Sequence, residues 1–169
     1  MPILTIRLGA TCDTIVNERI SFSMSQAKAT PEGYHSVQPY LILKNCAAAI
    51  ELYKHAFGAT EKMRMPRPNG TIAHAEIHMG DSVVMLADEN PEIGAWSIEH
   101  YGGSPVSLLI YVDDCDAVYK QALGAGASSL REPADQPYGD RMAGVKDPFG
   151  YQWWIAAQIT EHTRGTSAS

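Results

Sequence analysis

Val37-Gln38-Pro39-Tyr40-Leu41-Ile42-Leu43 is a short apolar run, followed by Asn45 and then by Ala47, Ala48, Ala49, Ile50, Leu52, Tyr53, Ala56 and Phe57 at helical spacing. A run this short and apolar predicts a buried strand. Asn45 offers the helix an N-cap and Gly58 supplies its C-terminal stop. Beyond the helix, residues 59–65 predict a strand and Pro66-Arg67-Pro68-Asn69-Gly70 a turn. Residues 71–79 alternate in polarity, Gly80-Asp81 signals a hairpin, and residues 82–87 form another apolar strand. The order is β-α-β-β-β.

The same order then recurs. After a connection rich in Gly and Pro, residues 88–104, comes Val106-Ser107-Leu108-Leu109-Ile110-Tyr111-Val112, again a strand, with Asp114 as the next cap. Residues 117–123 are helical in pattern and end at Gly124 and Gly126. Residues 128–132, 141–145 and 151–156 read as strands, with Asp147-Pro148-Phe149-Gly150 as the last hairpin turn. A repeat of a whole supersecondary unit outranks any single motif. It predicts an α+β domain over 34–158, made of two βαβββ modules at about 37–88 and 105–157. On pattern alone, an unrelated α+β sandwich is the competing architecture. Residues 1–33 read as a poorly ordered N-terminal extension and 159–169 as a tail. Residues 1–23 match no part of the repeat, and Met24 opens a polar stretch, MSQAKATPEG, of the kind that begins many proteins. That marks 1–23 as an upstream extension.

Composition narrows the function classes. The 169 residues are 45% hydrophobic, enough for a core that needs no metal or disulfide to hold it. A formal net charge of -6 repels phosphate backbones, so nucleic acid is not the expected partner. No apolar run approaches the ~20 residues that span a bilayer, so a membrane is not expected either. Cys12, Cys46 and Cys115 are odd in number and lack CxxC spacing, which predicts free thiols in a reducing cytoplasm.

Several strings carry a family resemblance: YHSVQPYLILKNCAAAIELYKHAFGATEKMRMP, GTIAHAEIHMGDSVVMLADENPE, LLIYVDDCDAV and YGDRMAGVKDPFGYQWWIA. They resemble PhnB-like proteins of the vicinal-oxygen-chelate superfamily, which holds glyoxalases, bleomycin resistance proteins and extradiol dioxygenases. The resemblance spans roughly residues 34–158. It implies two curved sheets, one per module, closing around a pocket with helices outside, and a homodimer. It leaves activity open, because this fold hosts isomerases, lyases, dioxygenases, transferases and drug-sequestering proteins.

In the metal-dependent relatives, the resemblance implies His and Glu ligands on the first and last strands of each module. Carried onto this chain, the four places fall at Gln38, Met85, Ser107 and Trp154. Ser107 lies 69 residues after Gln38, and Trp154 lies 69 after Met85, so the modules agree. None is a His or a carboxylate, the groups that grip nickel, zinc or iron. No metal cofactor is therefore expected. By strand alternation Gln38, Tyr40, Ser107, Tyr111 and Trp154 point the same way, and with Met85 they outline a pocket suited to an organic ligand. Simple packing of the space between the sheets is the alternative.

His74, Glu76 and His78 alternate on one strand face, but neighbours two apart sit roughly 6.5–7 Å from each other and do not easily converge on one ion. The plain reading is a polar solvent face. His74 and Glu76 match the family's HAE string and are the candidate catalytic pair, with Glu76 as a general base whose pKa burial would set. Asp140 and Arg141 are positioned either to orient an anionic or carbonyl ligand or to fix a turn through a salt bridge. Asp147 reads as turn chemistry. Tyr151 stands where similar proteins often carry His.

Three functions follow as alternatives. The first is a metal-independent small-molecule binding protein resembling the bleomycin-resistance branch. The second is a glyoxalase-like lyase, isomerase or dioxygenase using nickel, zinc or iron with His74 and Glu76. The third is an association domain with a filled pocket.

Overall fold

The structure is a computed structural model that describes residues 29–159. The proposed extension at 1–23, Cys12 and most of the C-terminal tail lie outside the described residues. Two four-stranded sheets make up the architecture. The first module contributes β1 (Tyr40–Leu43), α1 (Cys46–Phe57), β2 (Thr60–Pro66), β3 (Ile72–Met79) and β4 (Ser82–Asp88). The second contributes β5 (Leu108–Tyr111), α2 (Cys115–Gly124), β6 (Ser128–Asp135), β7 (Asp140–Lys146) and β8 (Gln152–Gln158). The sheet orders are β1-β4-β3-β2 and β5-β8-β7-β6, so each module has one parallel pair, β1 with β4 and β5 with β8. This is the duplicated βαβββ architecture expected from the sequence.

Register shows how closely one module repeats the other. Tyr40 pairs with Met85, and Leu109, 69 residues on, pairs with Trp154, 69 residues after Met85. Both edge ladders carry a bulge at the same point, between Glu61 and Met63 in β2 and between Ser129 and Arg131 in β6. Asn45 caps α1 by accepting from the Ala48 N–H at 3.0 Å, and Asp114 caps α2 by accepting from Ala117 at the same distance. Gly58 ends α1 in the left-handed region (φ 66°), where a side chain would be strained.

Three boundaries differ from expectation, each for a physical reason. β1 begins at Tyr40 rather than Val37, because Pro39 has no N–H for the ladder, although its carbonyl accepts from Met85 at 2.9 Å. β5 begins at Leu108 rather than Val106, because Ser104 Oγ both accepts from the Val106 N–H and donates to its carbonyl. β6 runs on through Pro133 to Asp135, which an edge strand tolerates.

One apolar cluster joins the modules. Leu41, Leu43, Ile77 and Leu86 from the first sheet meet Ala143, Val145, Trp153 and Ile155 from the second across the buried sides of α1 and α2. Tyr53 of α1 is fully buried, its ring centroid 5.2 Å from that of Trp153. The modules are thus fastened through helix-facing surfaces. The opposite sheet faces are not stacked on each other within one chain: Tyr40, Leu109 and Tyr111 there are 51%, 47% and 67% exposed. The expectation that the sheets close around a pocket on those faces does not hold within a single chain. No helix among the described residues is long and apolar enough to cross a membrane.

Candidate functional site

Tyr40, Met85, Glu76 and Met63 form one cross-strand row on the face of the first sheet turned away from the helices. Glu76 is 5% exposed. Its Oε2 accepts from the Tyr34 hydroxyl at 2.6 Å and lies 3.0 Å from Lys62 Nζ, and its Oε1 lies 3.2 Å from His74 Nε2. The Lys62 ammonium also sits 3.7 Å from the centroid of the Tyr34 ring. Burial pushes the Glu76 carboxyl up, but the Tyr34, Lys62 and His74 donors outweigh it and hold the pKa down at about 2. Two expectations are corrected here. Glu76 is not on a solvent face, because Tyr34 and Lys62 cover it, and hydrogen bonding rather than burial decides its ionisation.

Neither cover residue was legible in the pattern. Lys62 lies at the β-bulge between Glu61 and Met63, where the two-residue alternation breaks. Tyr34 belongs to an irregular segment before β1.

His74 is held at both ring nitrogens. A carboxylate accepts only, so the ring donates from Nε2 to Glu76, and Nδ1 shares a hydrogen bond with the Tyr40 hydroxyl at 3.1 Å. The rings of Tyr40 and His74 meet edge to face at 5.5 Å. His78 shares the strand but pairs across the ladder with Val83. Among the described residues, no group of three or more His, Cys, Asp and Glu side chains comes together as an ion site.

The four places that the resemblance assigns to metal ligands hold side chains of a different chemistry. Met85 offers a thioether and Trp154 an indole that can only donate; Gln38 and Ser107 are neutral. The Trp154 ring lies flat over Gly144, so close that a Cβ on Gly144 would stand 2.8 Å from Cζ3. This donor set does not fit nickel, zinc or iron.

The predicted ligand residues do not share one space. Gln38 and Tyr111 come together in a cavity of about 550 Å³ at the seam between the modules, walled by Phe57, Met79, Val84 and Trp153. Gln38 also joins Met85, Glu76 and Tyr34 around a smaller recess of about 400 Å³. The Gln38 amide donates to the His35 carbonyl at 3.0 Å, while its buried Oε1 meets no donor among the described residues. Ser107, Asp140, Arg141 and Trp154 border neither space. Arg141 is committed elsewhere: its guanidinium grips Asp116 of α2 through two nitrogens, one at 2.9 Å, and Asp135 at 2.7 Å. Of its two proposed roles, the structure displays the salt bridge. Asp140 accepts from the Tyr111 hydroxyl at 3.3 Å.

Asp147 is buried and serves the fold. Its Oδ1 accepts from the N–H groups of Phe149 and Tyr151, closing the turn. Its Oδ2 accepts from Tyr53 at 2.8 Å and Trp153 Nε1 at 2.9 Å, fastening α1 of one module to β8 of the other. The Tyr151 hydroxyl crosses the same seam to the Ile42 carbonyl at 3.0 Å.

Comparison with known proteins places this arrangement. The family model for the Glyoxalase/Bleomycin resistance protein/Dioxygenase superfamily matches residues 34–155. An uncharacterized protein of Mycobacterium bovis is 37% identical over 129 residues, covering 75% of this chain and 85% of its own. Among solved structures, TioX from Micromonospora sp. ML1 is 24% identical with a TM-score of 0.58, over 76% of this chain and 100% of that one. A putative 3-demethylubiquinone-9 3-methyltransferase, the PhnB protein from Bacillus cereus, is 16% identical with a TM-score of 0.57, over 73% and 99%. These two likenesses concern the fold alone. The matched span, the duplicated modules and their common register together make this chain a member of the glyoxalase/bleomycin resistance protein/dioxygenase superfamily.

Proposed function

We propose that this protein binds a small organic molecule, without a metal ion, in the cavity between its two modules. The chief support is Gln38. Its Oε1 is buried and meets no donor among the described residues, and Gln38 lines the cavity walled by Phe57, Met79, Val84 and Trp153. A buried acceptor left without a donor costs about 1–3 kcal/mol, which a ligand N–H or O–H would recover. About 550 Å³ falls within the range of small-molecule sites, and apolar walls with one or two polar groups are their usual lining.

A metal-dependent lyase or dioxygenase using His74 and Glu76 gains less support. A carboxylate held at a pKa of about 2 by three donors is a weak proton acceptor at neutral pH. The ion places carry the wrong donors. The exposed Tyr40, Leu109 and Tyr111 on the open sheet faces favour a homodimer in which a second copy covers them. The buried thiols of Cys46 and Cys115, the first pushed up to about 12 chiefly by burial, suit a cytoplasmic setting.

The test is a thermal-shift screen of phosphonates, dicarbonyls and glycopeptide drugs on the intact chain and on Gln38→Leu. The reading expects at least one compound to raise the midpoint of the intact chain, with a smaller rise or none in the variant. Equal shifts in both proteins, or no shift across the library, would count against it.

A further inference from the structure

β5 is an outer strand of its sheet, bonded to β8 along one edge only. Successive residues of a parallel strand turn their N–H and C=O groups to opposite edges. The Val112 N–H donates to the Ala156 carbonyl at 2.8 Å, so Leu108, Ile110 and Val112 direct their main-chain groups at β8. Leu109 and Tyr111 therefore turn theirs to the opposite edge, where they meet no partner among the described residues. The first module repeats this arrangement. The Pro39 and Leu43 carbonyls accept from Met85 and Glu89 at 2.9 Å, and Ile42 turns outward, where its carbonyl is taken by the Tyr151 hydroxyl at 3.0 Å.

The seam cavity lies along the free edge of β5. All five residues from Leu108 to Val112 line it. Their side chains alternate between faces: Leu108, Ile110 and Val112 pack on the core, whereas Leu109 and Tyr111 are exposed on the open face. A space that touches all five lies beside the strand and not over either face. β8 fills one edge, so the cavity takes the other, where the main-chain groups of Leu109 and Tyr111 are unpaired. Phe57, Val84 and Trp153 give the same space an apolar wall. The outer strands β2 and β6 are blunted by bulges, by Lys62, Arg64 and Arg131, and by Pro66 and Pro133. The Leu-Leu-Ile-Tyr of β5 has none of these guards.

We propose that the ligand of the seam cavity is a short extended peptide, which adds to β5 as a further strand. This rests on the reading of the seam as the ligand site and names the class of ligand. Leu109 and Tyr111 each offer one N–H and one C=O to the peptide main chain. Alternate peptide side chains face the wall of Phe57, Val84 and Trp153, which favours an apolar residue at every second position. Residues 108–112 extend about 13 Å at the usual strand rise, room for four or five peptide residues. The proposed dimer uses the side chains of Leu109 and Tyr111 on the open face; the peptide uses only their main-chain groups at the edge.

Calorimetric titration of the full chain with the capped pentapeptide acetyl-Thr-Val-Thr-Val-Thr-amide tests this. Two further peptides carry N-methyl groups, one on its threonines and the other on its valines. The expected result is saturable binding of the unmethylated peptide. One methylated form should bind at least tenfold more weakly and the other within threefold, because only every second amide faces β5. Leu109→Pro removes an outward N–H and leaves the ladder to β8 in place, so it should weaken binding at least tenfold. Leu109→Ala keeps that N–H and should change affinity by no more than threefold. Circular dichroism establishes that the variants are folded, and the methylated peptides test the pairing on the unaltered protein. No saturable binding, equal losses for the two methylated forms, or full affinity in folded Leu109→Pro would overturn the proposal. Failure of the peptide, with a screened compound that stabilises the intact chain but not Gln38→Leu, would overturn the peptide alone and leave the seam reading standing. A dimer that Leu109→Pro converts to a monomer, with no peptide bound by either, would assign the edge to a second copy and overturn the proposal equally.

Discussion

Trp154 and Gly144 are cross-strand partners, and the indole covers the glycine so closely that no methyl group fits between them. In the first module the corresponding pair is Met85 and Glu76. The same two places of the duplicated sheet thus hold a ring over a bare backbone in one module and a thioether beside a buried anion in the other. Gly144→Ala should destabilise the protein by about 1–3 kcal/mol, the usual cost of overpacking. In urea unfolding, the loss should shrink when Trp154→Leu is added. A strictly additive double mutant would show that the ring does not rest on Gly144.

Glu76 ties stability to acid pH. Its folded pKa, about 2, lies below the ordinary carboxylate value, so ionised Glu76 contributes stability that is fully present above about pH 4.5. That contribution fades as pH falls through about 2. The stability difference between the intact chain and Glu76→Gln should be constant above pH 5 and diminish steadily below it. A difference independent of pH down to 2 would mean that the Tyr34, Lys62 and His74 contacts do not favour the charged form.

Asp147 has the opposite sign. Burial raises its carboxyl above the ordinary value, so its contribution is largest at low pH and declines as pH rises through the folded pKa. Asp147→Ala leaves the Tyr53 hydroxyl and the Trp153 N–H buried without an acceptor, each worth about 1–3 kcal/mol. The variant should lose roughly 3 kcal/mol or more, and Tyr53→Phe only about 1 kcal/mol. Equal losses in the two would show that the carboxylate does little beyond receiving the tyrosine.

The fold was legible because its signals are local and occur twice. Asn45 and Asp114 cap as their side chains predict, and the apolar runs at 37–43 and 106–112 each contain the expected strand, trimmed where Pro39 and Ser104 intervene. The site was less legible, because its contacts are not local. His74 and Glu76 stand out through the resemblance to the family's HAE string, but their partners Tyr34 and Lys62 reach them from an irregular segment and a bulge. Arg141 could be read equally as a ligand anchor or a structural ion pair. The approach of Asp116, from a helix 25 residues earlier, together with Asp135, favours the second.

Arg141→Ala should accordingly act on stability and not on binding. Its pairs with Asp116 and Asp135 are partly exposed and screened by solvent, so the loss should be small. Any ligand found for the seam cavity should bind the variant with unchanged affinity. A tenfold weaker complex would restore Arg141 as a ligand contact.

The exposed rings of Tyr40 and Tyr111, with Leu109, give the proposed homodimer a check. Light scattering should return twice 18.4 kDa, and Tyr111→Glu with Leu109→Glu should lower it to 18.4 kDa. A parent chain at 18.4 kDa would leave these faces without a second copy.

The proposed function requires that the ligand bind with no ion at the places held by Gln38, Met85, Ser107 and Trp154. Metal analysis by plasma mass spectrometry, on tag-free protein before and after chelation and paired with ligand titration, is the decisive measurement. The expected result is nickel, zinc and iron well below one per chain and the same ligand affinity after chelation. One equivalent of any of these metals per chain, with ligand binding lost on its removal and restored on its return, would contradict it.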